Sequence, residues 1–279
     1  MIRVAALYRY PVKSLGGESL QQAMVAERGF ADDRRWMLVD EAGQFISQRR
    51  QHHLARYGAR LSEEDTLEIF PYDLSKPPLR IADPRPAGTR DVEVTVWDDT
   101  FYAKTVAAPG IGAYLGLEDA RLVYMDETVS RPVDPRYARD AETVSFADGY
   151  PYLITTTASL DALADRLGRP VDMLRFRPNI VLEGTTPFAE DGWTRIRIGN
   201  QRFCLPKPCA RCVMVTLVPE TGEKDLMVLS ELARFRRHEN KTFFGMNALA
   251  LPPSDGTVRV GDGVEVLLTS RSKAIAQAD

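Results

Sequence analysis

Val92-Glu93-Val94-Thr95-Val96-Trp97 alternates apolar and polar residues with period two, the pattern of a strand with one buried face. The alternation recurs in Thr194–Gly199 (TRIRIG), Val213–Val218 (VMVTLV) and Val258–Leu268 (VRVGDGVEVLL), so strands are expected along most of the chain. In the last of these, Gly261-Asp262-Gly263 offers the positive-φ positions of a tight hairpin, and Gly43 does the same within DEAGQFISQ. The predicted connections there are antiparallel. Helices are fewer. Ser159–Leu167 carries Leu160, Leu163 and Leu167 on one face and stops at Gly168 and Pro170. Leu229–Arg237 places Leu229, Leu232, Ala233 and Arg236 on one face, with basic residues at its C-terminal end. Both suit helices packed on sheets, and the fold class predicted is β-rich α+β.

The 279 residues allow one large domain or two of ordinary size. With 44% apolar and 27% charged residues, wholesale disorder, collagen and coiled coil are excluded. Lys plus Arg at 36 against Asp plus Glu at 39 gives a net charge of -3, which argues against nucleic acid spread over the surface but leaves room for a local basic pocket. No apolar run approaches the roughly 20 residues that span a bilayer, and MIRVAALYRYPVKS lacks the apolar core of a signal peptide. The expectation is a cytoplasmic protein with no membrane partner. Pro71–Arg90, with five prolines, reads as a long loop within a β-domain. Asp126–Glu142, with eight charged residues and two prolines before FADGYPYLITT, reads as the neighbourhood of a boundary between domains 1–125 and 126–270, with a tail over 271–279.

The three cysteines, Cys204, Cys209 and Cys212, fall within nine residues, whereas a disulfide framework would distribute its partners. None of His52, His53 and His238 lies near them in sequence, so a four-ligand zinc site would need long-range help. A thioredoxin-type pair sits where a strand enters a helix, but here Pro206 and Pro208 precede the pair and a β-pattern follows. Cys204, alternating with Phe203, reads as a small apolar filler, and Cys209 can be read so too. Arg211 sets a fixed positive charge beside Cys212 and favours the thiolate, the form that ligates soft metals.

Three further motifs carry chemistry. In Arg175-Phe176-Arg177-Pro178-Asn179, two arginines on one side of an extended segment precede an amide, a set suited to an anion or a heterocycle; solvated arginines on an edge strand are the alternative. Tyr10-Pro11-Val12-Lys13-Ser14 presents an ammonium and a hydroxyl at a strand end. Asp32-Asp33-Arg34-Arg35-Trp36 brings mixed charges into a strand, with a surface turn of weak ion pairs as the alternative.

Taken in order, YPVKS, RGFADDRRWMLVD, SFADGYPYL, FRPNIV, EDGW, IRIG, KPCARC and VRVGDGVEVL resemble the MOSC superfamily, across residues 1 to about 269. Within it the chain is most similar to the bacterial YcbX-type proteins and the mitochondrial amidoxime-reducing components. The resemblance implies an N-terminal MOSC β-barrel domain followed by a MOSC β-barrel domain with a few packed helices. It implies the molybdenum cofactor (Mo-molybdopterin), with Cys212 as metal ligand and catalytic residue. Lys13, Ser14, Arg34, Arg177, Asn179, Ala210 and Arg211 would bind the cofactor, and Asp148 of FADGYP would be a second catalytic residue near it.

The chemistry implied is reductive removal of oxygen from N-hydroxylated small molecules: amidoximes, hydroxylamines and N-hydroxylated bases. YcbX-type relatives continue into a four-cysteine ferredoxin domain that SRSKAIAQAD does not begin, so a separate electron donor, a ferredoxin or a flavoprotein reductase, is expected. Pyridoxal, nucleic acid and a membrane are not expected partners. The mitochondrial relatives carry a membrane anchor, whereas here the first strand follows Met1 directly, which suggests a soluble form. Two other readings stay open: a cofactor carrier or sulfur-transfer module without its own turnover, and a thiol-disulfide protein using Cys209 and Cys212.

Overall fold

Four sheets gather the strands of the computed structural model, which describes residues 1–82, 84–86, 91–133 and 142–270. The largest runs Val264–Thr269, Trp193–Ile198, Gln201–Arg211, Lys241–Ala250, Tyr152–Thr156, Ile180–Glu183, Arg3–Arg9, Glu18–Leu20, with Arg237–His238 attached to Lys241–Ala250. Its pairings are antiparallel except that of Tyr152–Thr156 with Ile180–Glu183, which is parallel and crosses over through helix Thr157–Leu167. That helix starts where Thr156 Oγ1 accepts from Ser159 N and ends at Gly168 in the left-handed region, the stop expected from its sequence. Arg3–Arg9, from the beginning of the chain, thus joins its neighbour Glu18–Leu20 to a sheet otherwise built from residues after 150.

A second sheet, Trp36–Val39, Arg121–Tyr124, Asp99–Val106 and Asp91–Val96, contains the VEVTVW strand. A third pairs Tyr57–Leu61, Leu67–Pro71 and Leu79–Ile81, so part of the proline-rich stretch is strand and not loop. The fourth joins Thr257–Arg259 to Gln22–Ala26 and Gly29–Phe30. One core fills the large sheet with Val4, Leu7, Ile154, Leu182, Ile196 and Phe203. A second surrounds Trp36, and a third sits between the sheet and helices Thr157–Leu167 and Met227–Phe235. The β-rich α+β class holds. Residues 83, 87–90, 134–141 and 271–279 lie outside the description, and with them part of the expected boundary segment and the tail.

Four local expectations need correction. Val213–Thr216 is a 3-10 turn, not a strand, because Val215, Thr216 and Leu217 are all buried; Val215 packs with helix Met227–Phe235, and packing overrides β-branched propensity. Val258–Leu268 does turn at Gly261, but its arms pair with Gln22–Ala26 and Trp193–Ile198 instead of each other. Val4 captures that turn, accepting from Gly261 N at 2.8 Å and donating to Asp262 O at 3.0 Å. The second helix runs Met227–Phe235 and buries Val228, Glu231, Leu232 and Phe235, a face rotated from the predicted one, with Arg236 buried just beyond its end. Arg175 and Arg177 do not share one side of an extended segment. Met173–Phe176 is a 3-10 turn and Arg177 adopts φ +53.

Candidate functional site

Where the large sheet meets the Trp36 sheet lies a cleft of about 320 Å³, lined by Lys13, Ser14, Arg34, Asp148, Arg177, Asn179, Ala210, Arg211 and Cys212 together with other residues. All nine site residues expected from sequence therefore share one cavity, although they come from stretches nearly two hundred residues apart.

The chain reaches the cleft from Arg3–Arg9 through Tyr10 and Pro11. Tyr10 N donates to Asp33 Oδ1 at 2.8 Å, and Lys13 N donates to Trp36 O at 2.8 Å. These bonds lay YPVKS alongside DDRRW. Asp33, with its side chain fully covered, pairs with Arg34 Nη1 at 2.5 Å, so this segment is a buried ion pair and not a weak surface turn. Arg34 also donates to Asn179 Oδ1 and to Arg177 O, each at 3.2 Å. Asn179 accepts in addition from Leu153 N at 3.2 Å and donates to Tyr8 O at 3.3 Å, which ties three strands of the large sheet behind the cleft. The Arg34 and Arg177 guanidiniums lie 4.3 and 4.4 Å from the Tyr10 ring centroid. Burial, with Arg34 beside it, pushes Arg177 down to about 10.

Arg175 points elsewhere, donating to Val215 O at 3.2 Å and Asp225 Oδ2 at 2.9 Å. Between the two arginines, Phe176 stacks on Phe244 with centroids 4.0 Å apart, a contact worth roughly 0.5–1.5 kcal/mol beyond its burial. The aromatic anchor sends the neighbouring arginines in different directions.

The FADGYP loop is fixed from several sides. Ser145 Oγ donates to Asp33 O, Phe146 N to Arg34 O, and Arg131 Nη1 to Ser145 O, each at 2.9 Å. Lys13 Nζ donates to Phe146 O at 2.7 Å and Asp148 Oδ1 at 2.6 Å, and Trp97 Nε1 reaches the same carboxylate oxygen at 3.2 Å. Burial lowers the Lys13 ammonium, opposed by Asp148. The cleft walls favour a neutral Asp148, but Lys13, Trp97 and Arg49 outweigh them and hold it well below the usual carboxylate range. Asp148 thus accepts from both Lys13 and Trp97, with its side chain 66% exposed to the cleft.

At the end of the long strand Gln201–Arg211, Arg211 donates to Phe176 O at 2.8 Å and to Cys209 Sγ at 3.0 Å. Cys212 follows, partly exposed, and Arg49 Nη2 lies 3.3 Å from its Sγ. Cys204 is buried, as a filler should be. Among the described residues no three His, Cys, Asp or Glu side chains gather into a metal-binding group. Cys209 and Cys212 are both free thiols on the cleft, and a metal held at Cys212 must bring further ligands with it.

Lys13, Arg34, Arg49, Arg177 and Arg211 face Asp33 and Asp148 here, so an acidic chain presents a cation-rich cleft. Tyr10 Oη and Arg211 Nε are buried without a partner. An unpartnered Arg211 donor, excess positive charge and the Cys209 and Cys212 thiols fit an anionic organic chelate of a thiophilic metal. Sequence reading missed Arg49, Trp97 and Phe45. Arg49 stood in the unremarkable run SQRRQ and Trp97 looked like the end of a strand, so neither carried a local signal.

Family models match on both halves of the chain: the MOSC N-terminal beta barrel domain over residues 1–109 and the MOSC domain over residues 141–265. The chain belongs to the MOSC-domain family, in the form that carries the N-terminal barrel. It is 30% identical to mitochondrial amidoxime-reducing component 1 of Mus musculus, over 95% of this chain and 82% of that protein. The corresponding Homo sapiens protein is 28% identical over 95% and 82%. A molybdenum cofactor sulfurase of Oryza sativa subsp. japonica is 27% identical over 88% of this chain but only 32% of its own length. Among the described residues no helix is long and apolar enough to cross a membrane.

Proposed function

We propose that the cleft holds the molybdenum cofactor and that the chain is a molybdenum-dependent oxidoreductase, reducing N-hydroxylated compounds to the amine or amidine. The observation that carries this reading is Cys212: a partly exposed thiol, with Cys209 near it, in a cation-rich cleft where, among the described residues, no cluster of three metal ligands forms. The distant kinship to the amidoxime-reducing components supports the reaction class, and their coverage over most of both chains supports it over a cofactor-sulfurase role.

In this reading Cys212 Sγ ligates the metal, a soft thiolate for a thiophilic ion. Arg34 and Arg177, spaced by the Tyr10 ring, bind the phosphate with Lys13 and Ser14, while Asn179, Ala210 and Arg211 line the pterin's place. When bound, the cofactor supplies the two-electron removal of oxygen from nitrogen. The chain orients that group, excludes water from its buried side and keeps Asp148 anionic, so that Lys13 stays fixed and charged. We assign the electrons to a ferredoxin or flavoprotein reductase as donor.

Molybdenum analysis and oxidised-pterin fluorescence on protein from a cofactor-competent host test the reading, with wild type beside Cys212→Ala. Near-stoichiometric metal in the wild type, its loss in the variant, and amidoxime reduction with an artificial donor are expected. Wild type that stays free of metal and pterin, or loaded protein inert toward every N-hydroxylated class, overturns it.

A further inference from the structure

Arg49 and Trp97 lie in the N-terminal half of the chain, yet Arg49 meets the cysteine segment and Trp97 the FADGYP loop of the other half. Arg49 Nη2 is 3.3 Å from Cys212 Sγ, and its guanidinium carbon lies 4.2 Å from the centroid of the Trp97 ring. The guanidinium thus offers an N–H to the sulfur while its carbon lies over the indole ring, two contacts that the single ammonium of lysine reproduces less well.

Trp97 is itself an unusual residue. It sits at the turn between Asp91–Val96 and Asp99–Val106 with φ +57, a left-handed conformation that a bulky side chain seldom adopts. Three contacts hold it there: Nε1 on Asp148 Oδ1 at 3.2 Å, an edge-on contact with Phe45 at 4.7 Å, and Arg49 on its face. The adjoining turn is equally confined, since a Cβ on Gly43, at φ +76, would lie 2.2 Å from Glu93 O. Backbone cost of this kind persists where surrounding contacts over-determine it, and such places cluster at functional sites.

We propose that Arg49, braced by Trp97, is a positioning residue that aims Cys212 Sγ and tunes its bond to the metal. The proposal rests on the cofactor reading above. A cationic N–H donor on a ligating sulfur withdraws electron density from it, so a metal bound there accepts electrons more readily. Trp97 fixes the donor's angle without adding a competing acceptor.

The test uses the cofactor-loaded chain. Arg49→Ala should weaken cofactor retention about ten- to a hundred-fold, the usual effect of removing an outer partner of a metal ligand. It should also move the midpoint potential of the molybdenum signal downward, with far-ultraviolet circular dichroism and melting temperature unchanged. Arg49→Lys should recover part of the potential, and Trp97→Phe should stay near wild type while Trp97→Ala shifts in the same direction as Arg49→Ala. A folded Arg49→Ala protein with wild-type retention and potential overturns the proposal. Should wild type itself carry no molybdenum, the cofactor reading fails alone, and a measurement on the empty chain decides the matter of Arg49. In a Cys209→Ser background at one fixed pH, Arg49→Ala should slow the reaction of Cys212 with an anionic aromatic disulfide several-fold, and an equal rate rejects the proposal.

Discussion

The arginine–carboxylate clusters at Asp191 and at Asp33 are both buried, and they differ in balance. Arg236 and Asp191 meet at 2.6 Å with side chains 0% and 5% exposed, and Arg236 also lies over the Phe188 ring at 4.2 Å. One cation faces one anion, and neither residue lines the cleft. At the cleft, Asp33 is shared by a region holding Arg34 and Arg177, with Lys13 and Arg211 nearby, so positive charge is in excess. The closed pair holds the helix layer to the sheet, whereas the open cluster keeps donors free for a ligand. Burial by itself does not separate structure from function here; the charge balance does.

Breaking the closed pair gives the largest expected effect. Asp191→Ala leaves Arg236 buried and uncompensated, which costs about 3–5 kcal/mol; denaturant unfolding measures it, and cofactor content per folded molecule should not change. The open cluster should respond the other way round. Arg177→Met keeps the side-chain volume and removes repulsion from Arg34, so stability of the empty chain should stay within about 1 kcal/mol of wild type or rise, while cofactor retention is lost. A large loss of stability in Arg177→Met would erase the distinction between the two clusters.

The smallest effect concerns Glu190, next to the closed pair. Its oxygens accept from Ser159 Oγ at 2.7 Å and Thr156 Oγ1 at 3.1 Å, yet burial pushes its carboxyl up to about 7. A raised carboxyl binds its proton more tightly in the folded chain. Its contribution to stability is therefore full below pH 4.5 and is lost as pH rises through about 7. Glu190→Gln should flatten the melting temperature between pH 5 and 8, and an unchanged slope would assign the pH dependence to other groups.

Much of this was legible in the sequence. Period-two segments gave strands Asp91–Val96 and Trp193–Ile198, and Gly168 with Pro170 marked a true helix end. The family motifs named nine of the residues that line the cleft, from Lys13 to Cys212, but not Phe45, Arg49 or Trp97. What misled was alternation without context. Val213–Val218 and Val258–Leu268 alternate as strands do, but one packs as a turn beneath a helix and the other divides between two sheets. Arg175 and Arg177 look equivalent in FRPN, and only the Phe176 anchor and the left-handed Arg177 separate their destinations.

The sequence by itself determined the β-rich class and the family, because periodicity and motif spacing are local properties. Tertiary structure alone decided that Arg3–Arg9 joins the sheet of the other half, that Asp33 is buried, and that Arg49 and Trp97 reach Cys212 and Asp148. Those are contacts across more than fifty residues of chain, set by how sheets pack, and no short-range pattern encodes them.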